Sequence, residues 1–307
     1  MIEVKNLTKY YGGLKALDNV TFTVNDGEIV GFVGMNGAGK TTTIKIIAGI
    51  LRPTSGNVLI DGYDIVREKD KASLNIGWVS ESPSFEQDFT VIDYLRYIAG
   101  YYGMRGNERE NRIKEVMDEV DIYQYRNRKI RELSYGNKKR LALAIALLNR
   151  PKNLLLDEVL NGLDPEGIAF FRDLVTKYRK EKKAILFSSH ILSEVENIAD
   201  RVVFINKGRI IGEKSVEEIR REVKPNALKL RVKNPDEKLS TILSKFGKVS
   251  KERGDEIIIE EFKGEADDVV SILVKEGYKI VEVVPQRQYL EAYFLRLIGE
   301  GNNEHKL

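Results

Sequence analysis

Hydrophobic and polar positions change their period several times along this chain, and each change marks an element. Residues 2–11, IEVKNLTKYY, and 17–24, LDNVTFTV, alternate and predict antiparallel strands, with Asn25-Asp26-Gly27 as the turn that follows. Residues 29–33 form an unbroken apolar run, the pattern of a buried parallel strand. From Thr42 the period lengthens to that of a helix with Ile44, Ile47 and Ala48 on one face. Residues 53–56 read as a turn, and residues 56–62 as another hairpin. Residues 76–81 predict a strand ending in the carboxylate of Glu81. Residues 88–150 are almost wholly helical by periodicity, opening on the capping box Thr90-Val91-Ile92-Asp93 with Leu95 and Ile98 facing inward. Within them the charged stretch 107–120 reads as a solvated helix face. Ser134 is suited to cap the strongly apolar helix that Pro151 stops. Residues 153–158 then predict a buried parallel strand ending in two acids. Residues 184–187 predict another, ending in Ser188-Ser189-His190.

The last ninety residues change pattern. Residues 215–218 cap a short helix and Pro225-Asn226 breaks it, giving units at 1–222 and 226–307, with a helical subdomain at about 88–150 in the first. Strands at 228–232, 248–251, 256–262 and 278–284 and helices at 236–246 and 265–275 follow, with Gly254-Asp255 as a turn. Their order, βαββαβ, predicts a small ferredoxin-like α+β sandwich. A final helix is expected at 288–298.

Composition narrows the choices. Of 307 residues 32% are charged, yet the formal net charge is +3, so no nucleic acid partner is expected. With no cysteine, disulfides, thiolate metal sites and thiol catalysis are excluded. The compartment is not set by redox chemistry, though a reducing cytoplasm fits. The N-terminus lacks the apolar core of a secretory signal, and no apolar run approaches the ~18 residues of a membrane span.

Chemistry concentrates at the strand ends. Residues 34–41, GMNGAGKT, fit G-x-x-x-x-G-K-[ST] at every fixed position, between a predicted strand and a predicted helix. A glycine-rich turn there points backbone N–H groups inward, and the helix start adds partial positive charge, so a polyphosphate is the expected ligand. Lys40 would reach the β/γ-phosphates and the Thr41 hydroxyl would bind Mg²⁺. Because successive side chains on a strand alternate, Asp157 and Glu158 need different jobs. Asp157 would hold Mg²⁺, and Glu158 would face the γ-phosphate and activate water. His190, one of two histidines beside His305 in the polar tail, ends the neighbouring strand within possible reach of the γ-phosphate. Ser134 and Gly136 at a helix start offer a second anion site, or taken alone a capped helix, and an exposed tyrosine in Tyr10-Tyr11-Gly12-Gly13 offers a face for a nucleobase, or else an ordinary strand end.

In this order the motifs resemble the ATP-binding subunit of an ABC transporter, over roughly residues 1–220. The fold implied is α/β: a P-loop ABC ATPase domain with a mixed sheet core, an antiparallel β subdomain and a helical subdomain. The resemblance makes Gly34, Asn36, Gly37, Ala38, Gly39, Lys40, Thr41 and Thr42 the phosphate-binding residues, and Glu158 the catalytic glutamate. It makes His190 the switch histidine and Tyr11 the adenine-stacking aromatic. Ser134 and Gly136 belong to the signature, Asp164 to the D-loop, and Glu81 to the Q-loop beside the metal. Departures are visible: LSYGN stands for LSGGQ, Glu81 for glutamine, and Val159-Leu160 for the usual Pro-Thr. Ser134 and Gly136 are retained, so function is expected to survive, whereas Glu81 brings an extra negative charge that could slow hydrolysis or alter coupling. The family also implies ATP and Mg²⁺ as cofactors and a homodimer sandwiching two nucleotides. It implies separate transmembrane permease subunits that hold the chain at the inner face of the cell membrane. The last residues resemble the C-terminal extension of drug- and antibiotic-export relatives, and that ending alone indicates export. The alternatives are a soluble ABC ATPase acting on nucleic acid or the ribosome, and a weakly hydrolysing regulator.

Overall fold

The computed structural model describes residues 1–223, 227–251, 256–286 and 289–303. Pro225-Asn226, Gly254-Asp255, Gln288 and His305, singled out above, lie outside the described residues. The chain divides into two compact units, Met1–Ser215 and Val216–Leu307.

In the first unit, β1 (Ile2–Tyr11), β2 (Leu14–Val24), β3 (Ile29–Val33) and α1 (Lys40–Ile47) come first. Next are β4 (Ser55–Ile60), β5 (Tyr63–Asp64), α2 (Lys69–Leu74) and β6 (Ile76–Val79). Then come α3 (Val91–Tyr101), α4 (Gly106–Glu119), α5 (Tyr135–Leu147), β7 (Asn153–Asp157) and α6 (Pro165–Lys180). The unit closes with β8 (Ala184–Ser189), α7 (Leu192–Ile198), β9 (Arg201–Asn206) and β10 (Arg209–Ser215). One antiparallel sheet runs β2-β1-β4-β5. The other runs β10-β9-β3-β8-β7-β6, parallel except for β10. Every residue of β3, β7 and β8 is buried, as their apolar runs require in the middle of a covered parallel sheet. The alternating β1 and β2 bury one side, and their Ile2, Val4, Leu17 and Phe22 join Phe32 of β3 and Ile44 of α1 in one core. There the Phe22 and Phe32 rings stack with centroids 5.2 Å apart. The parallel order places the C-terminal ends of β3, β7 and β8 together at one end of the strands, where an open α/β sheet gathers its ligand chemistry.

Two expectations need correction here. The strand predicted at 76–81 ends at Val79, because its ladder to β7 ends there and the Glu81 carbonyl accepts from Lys139 instead. The segment 88–150 is less continuously helical than its periodicity suggests. Between α4 and α5 lie turns of 3₁₀ helix at Tyr123–Tyr125 and Ile130–Glu132, and a bridge joins Lys129 to Thr90.

The second unit begins with α8 (Val216–Glu222), placed by sequence in the first. Its Val216 and Ile219 are buried, and it packs against α11 (Tyr289–Asn303) of its own unit, which draws the division back before the helix. Between them lie β11 (Ala227–Val232), α9 (Glu237–Leu243), β12 (Lys248–Lys251), β13 (Glu256–Glu260), α10 (Ala266–Lys275) and β14 (Ile280–Gln286). The sheet order β12-β13-β11-β14, antiparallel throughout, is that of two interleaved split βαβ units. Leu228, Leu230, Ile257 and Ile259 pack under Leu239 of α9 and Leu273 of α10 as a separate core.

Candidate functional site

The turn between β3 and α1 is shaped by close backbone approach. A Cβ at Gly34 would lie 2.3 Å from the Ile205 carbonyl oxygen, so only glycine fits. Gly39, at φ 113°, caps α1 from a region of backbone space closed to other residues without strain. The result is a loop whose N–H groups precede a helix start, an arrangement suited to phosphate oxygens. Beside it is a cavity of about 370 Å³ lined by Asn36, Gly37, Gly39, Lys40, Thr41 and Thr42 from this loop, and by Ala16, Glu81, Glu158, Asn161 and His190 from elsewhere.

Inside, charged groups meet at short range. Lys40 Nζ donates to the Gly34 carbonyl at 2.7 Å and lies 3.3 Å from Glu158 Oε1, both side chains being buried. Glu158 Oε2 is 3.0 Å from His190 Nδ1. Asp157 Oδ1 accepts from Ser188 Oγ at 2.7 Å and from Thr41 Oγ1 at 3.3 Å. Burial pushes the Asp157 carboxyl above its usual range, with the Ser188 and Thr41 hydrogen bonds opposing and Glu158 and Glu81 adding to it. The two acids do have different neighbours, but strand alternation is not the cause. The strand stops at Asp157, and Glu158 takes a left-handed backbone at φ 48°. Its N–H donates to the carbonyl and hydroxyl oxygens of Ser188, which hold that turn. Backbone strain of this kind in a non-glycine residue is typical of functional positions.

For Mg²⁺ the donor chemistry is right: the Thr41 hydroxyl and the Asp157 carboxylate are hard oxygen donors a hydrogen bond apart, with Glu81 on the same cavity. Among the described residues no three His, Cys, Asp or Glu form a cage. A site that completes its shell with phosphate oxygens and water, as Mg²⁺ prefers, fits that pattern.

A second cavity, of about 290 Å³, is lined by Ser134, Gly136, Asn137, Asp164 and others. Ser134 caps α5, accepting from the Asn137 N–H at 3.3 Å. Asp164 caps α6, accepting from the Gly167 N–H at 2.8 Å, so its carboxylate already has a structural partner. Tyr135 fills the space that the glycine-rich signature would leave open: a Cβ on Gly162 would lie 2.8 Å from its ring. Tyr11 does not line the first cavity; it ends β1 half exposed, with Lys9 Nζ 5.3 Å from its ring. Sequence reasoning missed the partnership of Ser188 with both acids, and missed Ala16, Asn161 and Lys139. Ser188 was visible only as part of the motif around His190.

This fold and site define a class, a P-loop ATPase with a second cavity lined in part by a helical insertion. A family model described as ABC transporter matches residues 17–161. The chain is 35% identical over 311 residues to an ABC transporter ATP-binding protein of Bacillus subtilis, YhcH, covering 99% of this chain and 98% of that one. It is 34% identical to the bacitracin transport ATP-binding protein BcrA of Bacillus licheniformis, covering 98% of each. A solved dimer of an ATP-binding cassette in a post-hydrolysis state, bound to ADP and phosphate, superposes with a TM-score of 0.65 at 27% identity. That match covers 70% of this chain and 99% of the solved one. The chain therefore belongs to the ABC transporter ATP-binding proteins. It is an ATP-binding, ATP-hydrolysing subunit of a transporter, and a nucleic-acid or purely regulatory role is not favoured. Among the described residues no helix is long and apolar enough to cross a membrane.

Proposed function

We propose that the chain drives export through separate permease subunits by closing and reopening as an ATP-sandwich homodimer. The observation that carries this reading is the convergence of Lys40, Thr41, Glu158 and His190 on one cavity, with Asp157 bonded to Thr41 behind it.

In this mechanism the N–H groups of residues 34–42 and the Lys40 ammonium hold the β- and γ-phosphates. Thr41, Asp157 and Glu81 hold Mg²⁺, which when bound neutralises phosphate charge. Glu158, released from Lys40 as the phosphates take its place, accepts a proton from water as the water oxygen bonds to the γ-phosphorus and the bond to ADP breaks. His190, already bonded to Glu158, fixes that carboxylate and contacts the γ-phosphate. Tyr11 serves the adenine. Ser134, Gly136 and Asp164 serve the nucleotide held by the partner copy, supported by the cavity they line apart from Lys40. The catalysis is mainly positioning and charge neutralisation.

The permease docks beside the Glu81 loop. Supporting this, Phe85, Phe89, Tyr94, Tyr97 and Tyr101 form a continuous chain of ring contacts, with centroids 5.1–6.3 Å apart, on α3 and the segment before it. Tyr101 is 73% exposed, and Phe89 and Tyr97 are exposed too. Such a row of exposed rings is unusual on a solvated face and suits an apolar helix of a membrane subunit. This placement puts the chain at the inner face of the membrane. Export of an antibiotic-like compound is inferred from the bacitracin transport relative. The second unit is taken as an accessory packing or dimerisation module.

The test is size-exclusion of Glu158→Gln with and without Mg-ATP, beside wild-type hydrolysis. An ATP-dependent monomer-to-dimer shift, with turnover lowered about 10²- to 10⁴-fold, is expected for loss of a general base. Near-normal turnover in the variant removes Glu158 from its role.

A further inference from the structure

Lys139, in the second turn of α5, has no part in the mechanism above, yet it is only 3% exposed. Its ammonium donates to the Glu81 carbonyl oxygen. Lysine is almost never buried this deeply without strong compensation, and one carbonyl is a modest partner for a full charge. Burial pulls the Lys139 ammonium below its usual range, with the carboxylates of Glu81, Asp157 and Glu158 opposing that shift, and the Tyr135 ring lies 5.5 Å from Nζ. The small pocket it lines is otherwise mostly apolar, with Val79, Leu143 and Val159 beside Arg140.

We propose that Lys139 is a positioning residue that ties the Glu81 loop to the start of α5 and offsets the carboxylate standing at position 81. Glu81 adds a negative charge to a cavity that already holds Glu158, with Asp157 just behind Thr41, and must admit a polyphosphate. A buried cation bonded to the same residue cancels that excess locally, where the low dielectric makes it count most. The bond also joins two sites. α5 starts at Ser134, on the second cavity, and Lys139 on the same rigid helix grips Glu81, on the first. A displacement of the helix start by a partner's nucleotide is therefore carried to Glu81 through one side chain. The inference rests on the nucleotide-site reading above.

The test compares full-length wild type, Lys139→Met, Glu81→Gln and the double variant, with Lys139→Arg preserving the charge. Three quantities are read: kcat and KM for Mg-ATP hydrolysis, and the apparent Kd for Mg-ATP from fluorescence of Trp78, the single tryptophan, three residues before Glu81. Lys139→Met is expected to weaken binding and kcat/KM about tenfold beside the Glu81 carboxylate, but less than about threefold in the Glu81→Gln background, with Lys139→Arg within about threefold of wild type. Equal losses in both backgrounds, as a purely structural lysine gives, or no loss in the first, overturn the proposal. Should Lys139→Met fail to fold, a double variant that folds supports the charge role, and one that also fails overturns it. Wild type that neither binds nor hydrolyses Mg-ATP overturns the nucleotide-site reading itself.

Discussion

At the scale of single residues, the site depends on one hydroxyl as much as on its acids. Ser188 Oγ donates to the Asp157 carboxylate and accepts from the Glu158 N–H, so from the neighbouring strand it fixes one carboxylate and the backbone turn that carries the other. Ser188→Ala leaves the buried Glu158 N–H with the Ser188 carbonyl alone and takes from the buried Asp157 oxygen the shorter of its two hydrogen bonds. We expect a loss of about 1–3 kcal/mol in denaturant unfolding. ATP turnover should fall by more than about tenfold as Glu158 leaves its strained turn. Unchanged turnover would mean that the turn holds without the hydroxyl. The phosphate-loop residues were legible because their spacing alone defines their chemistry. Ser188 and Lys139 were not, because their partners lie 31 and 58 residues away and only the fold brings them together. The strained Glu158 was misread for the same reason, since alternation along a strand says nothing about where the strand stops.

At the scale of elements, caps and cross-strand ion pairs set how the site's segments meet. Asp164 starts α6 while also lining the second cavity, so its two roles are separable by substitution. Asp164→Ala should cost about 1 kcal/mol of stability through the lost cap, whereas Asp164→Asn, which keeps the cap, should cost far less. If both variants lose turnover equally despite that difference, the carboxylate charge rather than the helix start serves the nucleotide. Glu28, before β3, is bonded to Arg201 of β9, which also binds Glu213 of β10 and the Thr23 carbonyl of β2. Burial works against the Glu28 carboxylate, yet bonds from Arg201 and Asn25 hold its carboxyl below the usual range. A carboxyl depressed in the folded state gives stability that is fully present above the unfolded value of about 4.3 and lost as pH falls through the folded value. Glu28→Gln should therefore lower Tm at pH 7 and approach wild type in strong acid; a Tm difference unchanged by pH would refute this. Strands and capped helices were legible here because hydrophobic period and cap residues are local. The 3₁₀ turns before α5 were not, since apolar Ile122 and Ile130 are buried without belonging to a helical face.

At the scale of the whole molecule, the two units have separately composed cores. Phe32 and Ile44 belong to one, Leu230 and Leu273 to the other. The sequence pointed to the second unit through its βαββαβ order, but its boundary was drawn too late, because the charges of α8 hide Val216 and Ile219 that it packs with α11. A core residue should then report on its own unit. Leu230 is fully buried, and truncating a buried leucine to alanine costs about 2–5 kcal/mol. In a unit of this size a loss of that order lowers Tm by about 10 °C or more. Scanning calorimetry of Leu230→Ala should show one transition moved down and a second in place, with the kcat of Mg-ATP hydrolysis unchanged. Ile44→Ala, behind the phosphate loop, should move the other transition and abolish Mg-ATP binding with it. Were Leu230→Ala to lower both transitions together and reduce kcat, the units would be a single cooperative body and the second could no longer be treated as an accessory to the ATPase.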